Sequence, residues 1–470
     1  MKLKVRNVSV ALLALLMTMT SGLAFATNGY FTHGVGAESK GMAGTGIGSN
    51  AQMGPIIVAS NPALAVFADD GWEAGLSIFS PRRSYVASSS QALGSGGAFT
   101  IGEGAYDSAS EWFPIPYVAK NWELANDRAV TFLFYGRGGM NTDWDDPNAS
   151  AWFDPTGQGG VGTQFVGGPF GAGTAGVDLS QAFLSINYAG KMSDQFAWGI
   201  GPIIAVQAFE ARGMASVAGF TKTFIEPFWN GGAPGNPVAL TNNGHDMSFG
   251  WGVAGGLWWG LSDTVSAGLS YQSKISMGEF DDYADLFAES GGFDIPSSIK
   301  FGLSFKASDA LRVNFDIEHT AFSDVDSVGN PMANLFSCPA TFNPVTNPNA
   351  TDVESCLGGA NGAGFGWEDM TTYKVGAEWH ASDDYTWRFG YSYGEQPIQA
   401  ADAVFNILAP GVMEQHLTIG LTKHNLGGGD LTFSFMYAPE KSVVGQNSFD
   451  PTQTITLKMN QLEFEVAYLW

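Results

Sequence analysis

The feature that most constrains the fold of this chain is an alternation of apolar and polar residues with a period of two. In the segment 311–318, every odd position is apolar and every even position is polar. Similar alternation recurs in 72–78, 431–437 and 462–470. Because successive side chains of a β-strand point to opposite faces, each segment predicts a strand with one apolar and one polar face. The chain is therefore predicted to be all-β.

The predicted strands and their connections indicate a transmembrane barrel. Strands are predicted near 72–87, 110–120, 128–138, 177–190, 196–211, 246–260, 264–276, 296–306, 311–321, 369–380, 386–394, 413–423, 430–439 and 456–470. Tight turns at 191–194, 262–263, 308–309, 382–384 and 425–428 alternate with long loops at 88–109, 139–176, 212–245, 322–368 and 440–455. Residues 71–470 are therefore predicted to form an antiparallel outer-membrane β-barrel of about fourteen strands, with periplasmic turns and extracellular loops. A soluble β-sandwich would explain single strands but not this asymmetry.

The composition agrees with a barrel. Charged residues make up 14% of the chain, against about 25% in soluble domains. A barrel wall needs apolar residues only at alternate positions, which fits the mean hydropathy of +0.01. The formal net charge of -24 argues against nucleic-acid binding, which needs a basic surface.

The N-terminus has the layout of a secretory signal. Lys2, Lys4 and Arg6 precede an apolar run at 8–17, and a small-residue site follows at 24–26. The run is shorter than the roughly 20 residues of a spanning helix. Residues 1–26 are therefore predicted to be a signal peptide that is cleaved during export to the outer membrane.

Residues 27–70 do not look like barrel wall. They contain eight glycines and show no sustained alternation. Because they precede the first strand on the periplasmic side, we predict that they form a plug, or hatch, inside the lumen.

Two further features are typical of exported barrels. Tyr468 and Trp470 end an alternating segment and resemble the signal read by the barrel assembly machinery. Cys338 and Cys356 lie in one predicted loop, where a local disulfide is favoured over two free thiols or a metal site because no histidine or second cysteine pair lies near them.

Motifs at both ends of the mature chain resemble the FadL family of outer-membrane transporters for long-chain fatty acids and hydrocarbons. The N-terminal part carries Gly29-Tyr30-Phe31, then Gly41-Met42-Ala43-Gly44-Thr45-Gly46, then Ser60-Asn61-Pro62-Ala63-Leu64. The C-terminal part carries Asn406-Ile407-Leu408-Ala409-Pro410-Gly411-Val412 and Met436-Tyr437-Ala438-Pro439.

This resemblance implies passive transport of long-chain fatty acids or related hydrophobic compounds. In the family, substrate is captured in an extracellular groove, held in a lumenal pocket and released sideways through the barrel wall beside a kinked strand. The resemblance implies no cofactor and a monomer surrounded by outer-membrane lipids and lipopolysaccharide. An apolar pocket suits such ligands, since each buried CH₂ contributes about 0.8 kcal/mol.

Candidate site residues follow from the mechanism that the resemblance implies. Gly136, Gly138 and Gly139 are candidates for the kink, because glycines in a strand mark bends, although an ordinary strand end would look similar. Candidates for the groove are Trp144, Trp152, Phe153, Phe165, Phe170, Phe220, Phe224, Phe228 and Trp229, which could instead pack the loops together. Tyr30, Phe31, Asn61, Pro62 and Ala63 could line the pocket, trigger release or anchor the plug.

The charged side chains do not decide whether the substrate is a carboxylate or a neutral hydrocarbon. A carboxylate would need a basic partner, for which Arg212, Lys222 and Lys274 are candidates, whereas neutral alkanes or aromatics would need none. The acidic clusters at 143–146 and 281–285 have a spacing that could suit Ca²⁺, but solvated turns are favoured and no metal is predicted.

Other functions fit less well. A general water-filled porin would have no plug, and a hydrocarbon transporter that does not handle fatty acids stays open as an alternative. An outer-membrane enzyme would need a nucleophile with an orienting base, and the six histidines show no such arrangement in sequence. A role as adhesin or phage receptor could coexist with transport.

Overall fold

The structure is a computed structural model that describes residues 27–154 and 160–470. The predicted signal peptide, residues 1–26, lies outside the described residues.

Fourteen antiparallel strands form a closed barrel, as predicted. Each strand pairs with its sequence neighbours, and the last strand pairs with the first from Ile455–Ala87 to Leu469–Glu73. The strands are β1 (Trp72–Ala87), β2 (Phe113–Leu124), β3 (Arg128–Asn141), β4 (Gly176–Ser193), β5 (Phe196–Arg212), β6 (Asp246–Gly260), β7 (Val265–Gln272), β8 (Ser298–Lys306), β9 (Leu311–Thr320), β10 (Met370–Ser382), β11 (Tyr385–Gly394), β12 (Gln415–Leu426), β13 (Gly429–Asn447) and β14 (Asp450–Leu469).

The period-two pattern separates two chemically different faces of the wall. Large apolar side chains are exposed on the outer face, among them Leu76, Trp122, Ile186, Ile200, Trp251, Phe301, Phe315, Tyr373, Phe389, Ile419, Phe435 and Phe464. The neighbouring inward positions are buried and polar, among them Ser77, Asn121, Thr131, Asn187, Ser304, Asn314, Thr372 and Thr422. A lipid-facing outer surface around a polar interior is the arrangement of an outer-membrane barrel.

One predicted loop is wrong. Residues 440–455 are not a long loop, because β13 continues to Asn447 and β14 begins at Asp450. A bulge at 439–440 absorbs Pro439, which has no N–H to donate, and the ladder resumes with Lys441 opposite Met459. The other long connections all lie at one end of the barrel, called here the long-loop end. The tight turns lie at the opposite end, called here the short-turn end.

The remaining elements are short. Strands occupy Thr27–Asn28, Phe31–Thr32, Phe99–Ile101, Gly104–Asp107, Ser150–Phe153, Thr163–Val166 and Ser276–Met277. α-Helical segments occupy Ala37–Lys40, Lys222–Trp229, Ala288–Gly291 and Asp326–Gly329. 3₁₀ segments occupy Pro55–Ala59, Pro62–Val66, Ser95–Gly97, Ala215–Phe220, Asp281–Tyr283, Phe322–Asp324, Met332–Ser337, Pro339–Thr341, Val353–Ser355, Ala400–Asp402 and Phe405–Ile407. Within the described part of the chain, every helix is too short or too polar to cross a bilayer.

The N-terminal segment, residues 27–70, packs against the inner face of the barrel. Its contacts reach strands around the whole ring: Lys40 to Glu463 of β14, Glu38 to Arg388 of β11, Gly46 to Asp316 of β9, Asn61 to Leu257 of β6 and Ala65 to Asn121 of β2. A segment of this length can contact all these strands only from inside the lumen.

The C-terminal tryptophan contributes to barrel closure. The N–H of Trp470 donates to the carbonyl of Trp72 at 2.9 Å, and its own carbonyl accepts from the N–H of Trp72 at 2.8 Å. Its ring stacks on Tyr468 at 5.8 Å. We expect deletion of Trp470 to lower the amount of folded barrel in the membrane, whereas Trp470→Ala keeps the backbone bonds and isolates the effect of the ring. Heat-modifiable migration on gels measures both, and unchanged migration and yield of the deletion variant would contradict the prediction.

Candidate substrate path

The barrel wall is incompletely paired between β2 and β3. In the described chain, the ladder between these strands runs from Leu124–Arg128 to Tyr117–Tyr135 and ends there. Residues 113–116 of β2 still pair with β1, and residues 136–141 of β3 pair with β4. The wall therefore has a gap between 113–116 and 136–141, called here the wall gap.

Local sequence explains why the ladder stops. Pro114 and Pro116 have no N–H, so they cannot donate to a neighbouring strand. On the other side, the pairing of β3 with β4 shifts between Gly136 and Gly138, which leaves Arg137 as an extra residue in a bulge. A bulge bends its strand and disrupts the ladder. The candidate kink glycines therefore flank or follow a bulge at the wall gap.

The N-terminal segment contacts β3 at the same place. Phe31 pairs with Gly138, and the N–H of Gly139 donates to the carbonyl of Tyr30 at 3.0 Å. A Cβ on Gly138 would lie 2.4 Å from the Gln181 side chain and 3.1 Å from each of the rings of Tyr30 and Phe31. Only glycine therefore allows this close approach without displacement of a neighbour.

The bulged Arg137 points into the lumen. Its guanidinium lies 4.5 Å from the centre of the Phe31 ring and 3.1 Å from the carboxylate of Glu318. Glu318 also pairs with Lys374 at 2.7 Å and with Lys300 at 3.3 Å. Lys374 in turn donates to the carbonyl of His33 at 2.9 Å. Glu318 of β9 and Lys374 of β10 thus connect Arg137 in the bulge of β3 to the N-terminal segment.

Two apolar cavities lie among the long loops. The outer cavity is lined by aromatic rings that include Phe99, Phe153, Phe220 and Phe449. The middle cavity is lined by Phe209, Phe287, Phe365, Leu408 and other apolar groups. Both cavities share Phe170, Val217 and Phe405, so they adjoin.

A third, smaller cavity lies beside the wall gap, against Gly139 and Met140 of β3. Its lining includes Tyr30, Gly139, Trp367 and Ala409. The middle cavity is lined by Leu408, which is next to Ala409 in the chain, and by Phe365, whose ring lies 6.4 Å from that of Trp367. The three cavities therefore follow one another from the long loops to the wall gap, and the third is called here the gap cavity.

The candidate groove residues have different environments. Phe153, Phe170 and Phe220 line the cavities. Trp152 is half-buried on a strand paired with Thr100, whereas Phe165, Phe228 and Trp229 are exposed. Trp144 is buried, donates to the carbonyl of Ile407 at 3.0 Å and contacts Tyr85 edge-on, so its contacts are those of a residue that packs the loops together.

The candidate residues of the N-terminal segment also divide into two groups. Tyr30 lines the gap cavity, and its ring contacts Phe31, Phe322 and Trp367. Asn61 instead caps the turn at Pro62–Val66 and donates to the carbonyls of Ile47 and Leu257. Glycines of β5 and β6 leave room for this turn, since a Cβ at Gly199 or Gly256 would overlap with residues 61–63. Asn61, Pro62 and Ala63 therefore anchor the segment to the wall.

Buried ion pairs hold the middle of the segment. Lys40 pairs with Glu463 and Glu465 of β14, all three side chains being buried. Burial disfavours the charged ammonium group of Lys40, but the two carboxylates outweigh this effect and raise its pKa above the usual value. Arg388 of β11 pairs with Glu38 of the segment at 2.7 Å and with Glu378 of β10 at 2.9 Å, so it links the segment to the wall.

The loop contacts include a disulfide between Cys338 and Cys356. The two cysteines pack against Ile225 and Phe224 of the helix Lys222–Trp229. The bridge therefore closes a loop within the β9–β10 connection, and it packs that loop against the β5–β6 connection beside the outer cavity.

The three basic residues proposed as carboxylate partners already have acidic neighbours. Arg212 lies 3.6 Å from Asp143, Lys222 lies 2.6 Å from Glu354 and Lys274 lies 3.0 Å from Asp294. Sequence reasoning missed Arg83, which lines the gap cavity. The alternation of β1 could have revealed it, because Arg83 has the same parity as the inward-facing Glu73 and Ser77.

Neither acidic cluster forms a recognisable metal site. Within residues 27–154 and 160–470, no group of three or more His, Cys, Asp or Glu side chains is arranged to hold a metal ion. Asp146 instead accepts from Asn148 in a turn, and Asp285 accepts from the N–H of Ala239.

Taken together, an apolar outer face, a polar and occupied lumen, and a chain of apolar cavities define an outer-membrane barrel of the channel type. A profile of the family described as outer membrane protein transport protein (OMPP1/FadL/TodX) matches residues 13–463. The chain belongs to this family, which confirms the resemblance noted from its motifs.

Solved structures share the fold at low sequence identity. The toluene transporter TodX of P. putida is 16% identical with a TM-score of 0.61, and the match covers 93% of this chain and 98% of that chain. A FadL homologue of Pseudomonas aeruginosa is 15% identical with a TM-score of 0.60, covering 94% and 99%. The toluene transporter TbuX of Ralstonia pickettii is 14% identical with a TM-score of 0.53, covering 92% and 98%. Comparison with curated protein sequences gave no match.

Proposed function

We propose that this protein is a passive channel that carries hydrophobic small molecules, long-chain fatty acids or aromatic hydrocarbons, across the outer membrane. Substrate enters the apolar cavities among the extracellular loops, passes to the gap cavity beside Tyr30, and leaves sideways through the wall gap into the bilayer. Residues 27–70 act as a plug that closes the direct route through the lumen to water-soluble solutes.

The observation that carries this proposal is the alignment of the cavities with the wall gap. The free energy of an apolar molecule falls when it leaves water for the cavities, and it falls by about as much when the molecule enters the hydrocarbon region of the bilayer. A sideways exit therefore avoids a step back into water. A concentration gradient suffices to drive such movement, and the family is one of transport proteins.

The proposal has two forms, which differ in whether the substrate is a fatty acid or a neutral hydrocarbon. Two of the structurally similar proteins are toluene transporters by name, and another is a FadL homologue. The aromatic lining of the outer and middle cavities suits either an aromatic ring or an aliphatic chain. A neutral-hydrocarbon transporter that does not handle fatty acids is thus the second candidate.

Uptake by cells tests the proposal directly. The protein is expressed in an outer membrane that lacks its own fatty-acid transporter, and uptake of labelled oleate, toluene and a small sugar is followed. Uptake of oleate, toluene or both supports a hydrophobe channel. Sugar flux without hydrophobe uptake would overturn the proposal in favour of a general porin.

Substitution of Gly138 tests the wall gap. We expect Gly138→Val to lower hydrophobe uptake by roughly tenfold while the barrel still assembles, because overpacking costs roughly 1–3 kcal/mol and the new side chain would overlap Phe31, Tyr30 and Gln181. Uptake and heat-modifiable migration measure the two effects. The matched control is Gly255→Val in β6, where the nearest atom to the new Cβ would be the carbonyl oxygen of Gly199 at 3.9 Å. Normal uptake by the Gly138→Val variant would rule out passage beside β3.

The same proposal includes the setting of the protein. We expect a monomer, inserted by the barrel assembly machinery after removal of residues 1–26, and surrounded by outer-membrane lipids and lipopolysaccharide. The exposed apolar rings around the barrel suit contact with lipid rather than with water.

A further inference from the structure

Arg83 is a buried cation without a counter-ion. Its side chain points inward from β1, and only 6% of the residue is exposed. Among the described residues, no carboxylate lies within 4.0 Å of its guanidinium, and Nη1 has no hydrogen-bond partner. Its guanidinium lies 5.9 Å from the centre of the Phe113 ring.

The other buried cations of the lumen behave differently. Lys40, Arg137, Lys374 and Arg388 each lie within ion-pair distance of at least one carboxylate. A buried charge without a partner is strongly unfavourable, so proteins normally supply one. The isolated guanidinium therefore indicates that its partner is a ligand.

The surroundings of Arg83 restrict what that ligand can be. Arg83 lines the gap cavity together with Tyr30, Met140, Trp367 and Met459. The lining also includes the polar side chain of Asn141, and its other side chains are mostly rings, thioether chains and small apolar groups. A ligand that fits therefore has one anionic group and an apolar body.

We propose that Arg83 is a carboxylate-binding subsite, so that the ligand of the gap cavity is an amphiphilic acid. The guanidinium presents a planar fork of N–H donors that matches a carboxylate, and the apolar tail lies along the cavities towards Phe365 and Leu408. A neutral hydrocarbon leaves the guanidinium unpaired and gains nothing from it. This inference rests on the proposed function and narrows its substrate class.

Paired ligands test the subsite on the purified full-length protein. Binding of oleate and of its neutral methyl ester is measured at about pH 8, where the acid is ionised. We expect the wild type to bind oleate on the order of tenfold or more tightly than methyl oleate. Arg83→Gln should remove this preference and leave the affinity for methyl oleate unchanged, and Arg83→Lys, which keeps the charge, should retain part of the preference.

Arg82 provides a matched control on the same strand. It faces outward and pairs with Glu111 at 2.9 Å, so Arg82→Gln should keep the full preference for oleate. Equal wild-type binding of acid and ester, or an undiminished preference in Arg83→Gln, would overturn the subsite while a hydrophobe channel stands. Absence of binding of both ligands and of toluene would overturn the proposed function as well.

Discussion

Replacement of Lys40 by methionine is expected to release the N-terminal segment from the wall. The change leaves Glu463 and Glu465 buried side by side without their cation. Breaking a buried ion pair destabilises by roughly 3–5 kcal/mol, which corresponds to about a hundredfold or more in a local opening equilibrium. Amide hydrogen exchange across residues 40–45, whose N–H groups are hydrogen-bonded in the native state, should accelerate by about that factor.

Two comparisons separate this effect from a general loss of stability. Lys423→Met removes a half-exposed pair with Asp384, worth about 0–1 kcal/mol, and should leave exchange in the segment unchanged. Adding Glu463→Gln and Glu465→Gln to Lys40→Met removes the uncompensated charges and should restore much of the protection. Wild-type exchange in the Lys40→Met protein would show that the ion pairs do not hold the segment.

Deletion of residues 27–70 is expected to convert a selective channel into an open pore. The segment packs against the inner face of the barrel, and the buried inward-facing side chains include polar Ser77, Asn314 and Thr422 together with charged Glu463 and Arg388. With the segment absent, water can solvate these groups, so the barrel should still assemble. Hydrophobe uptake should be lost because the deletion removes Tyr30, which lines the gap cavity. Small sugars should then pass through the lumen.

A shorter deletion provides the control. Removing residues 27–33 eliminates Tyr30 and Phe31 but keeps the anchors at Lys40 and Asn61. This variant should lose hydrophobe uptake without becoming permeable to sugar, as measured by liposome swelling. An unchanged sugar permeability after the full deletion, in a barrel shown to be folded, would contradict the role of the segment as a plug.

Strand positions could be predicted where the alternation is local and uninterrupted. The first strand was predicted at 72–87, and β1 spans Trp72–Ala87. The prediction failed at 440–455, where glycine, proline, asparagine and aspartate residues indicated a loop but pairing between β13 and β14 continues past a bulge. Hydrogen bonds between neighbouring strands override the low strand propensity of residues 440–455.

The candidate site was predictable only in part. Glycines in β3 indicated a bend, and motif resemblance directed attention to Tyr30 and Phe31. The same reasoning proposed Arg212 as a carboxylate partner, because a sequence does not show that Asp143 lies beside it. It also missed Arg83, whose importance depends on the absence of a nearby acid among the described residues.

A barrel with apolar and polar faces can be predicted from the amino-acid sequence alone, because side-chain direction in a strand follows from local backbone geometry. The position of the wall gap, the residue of the N-terminal segment that contacts β3 and the cation that stays unpaired are set only in the folded barrel. Those properties depend on groups distant in sequence, such as Phe31 and Gly138 or Lys40 and Glu463, which meet only when the barrel closes around the segment.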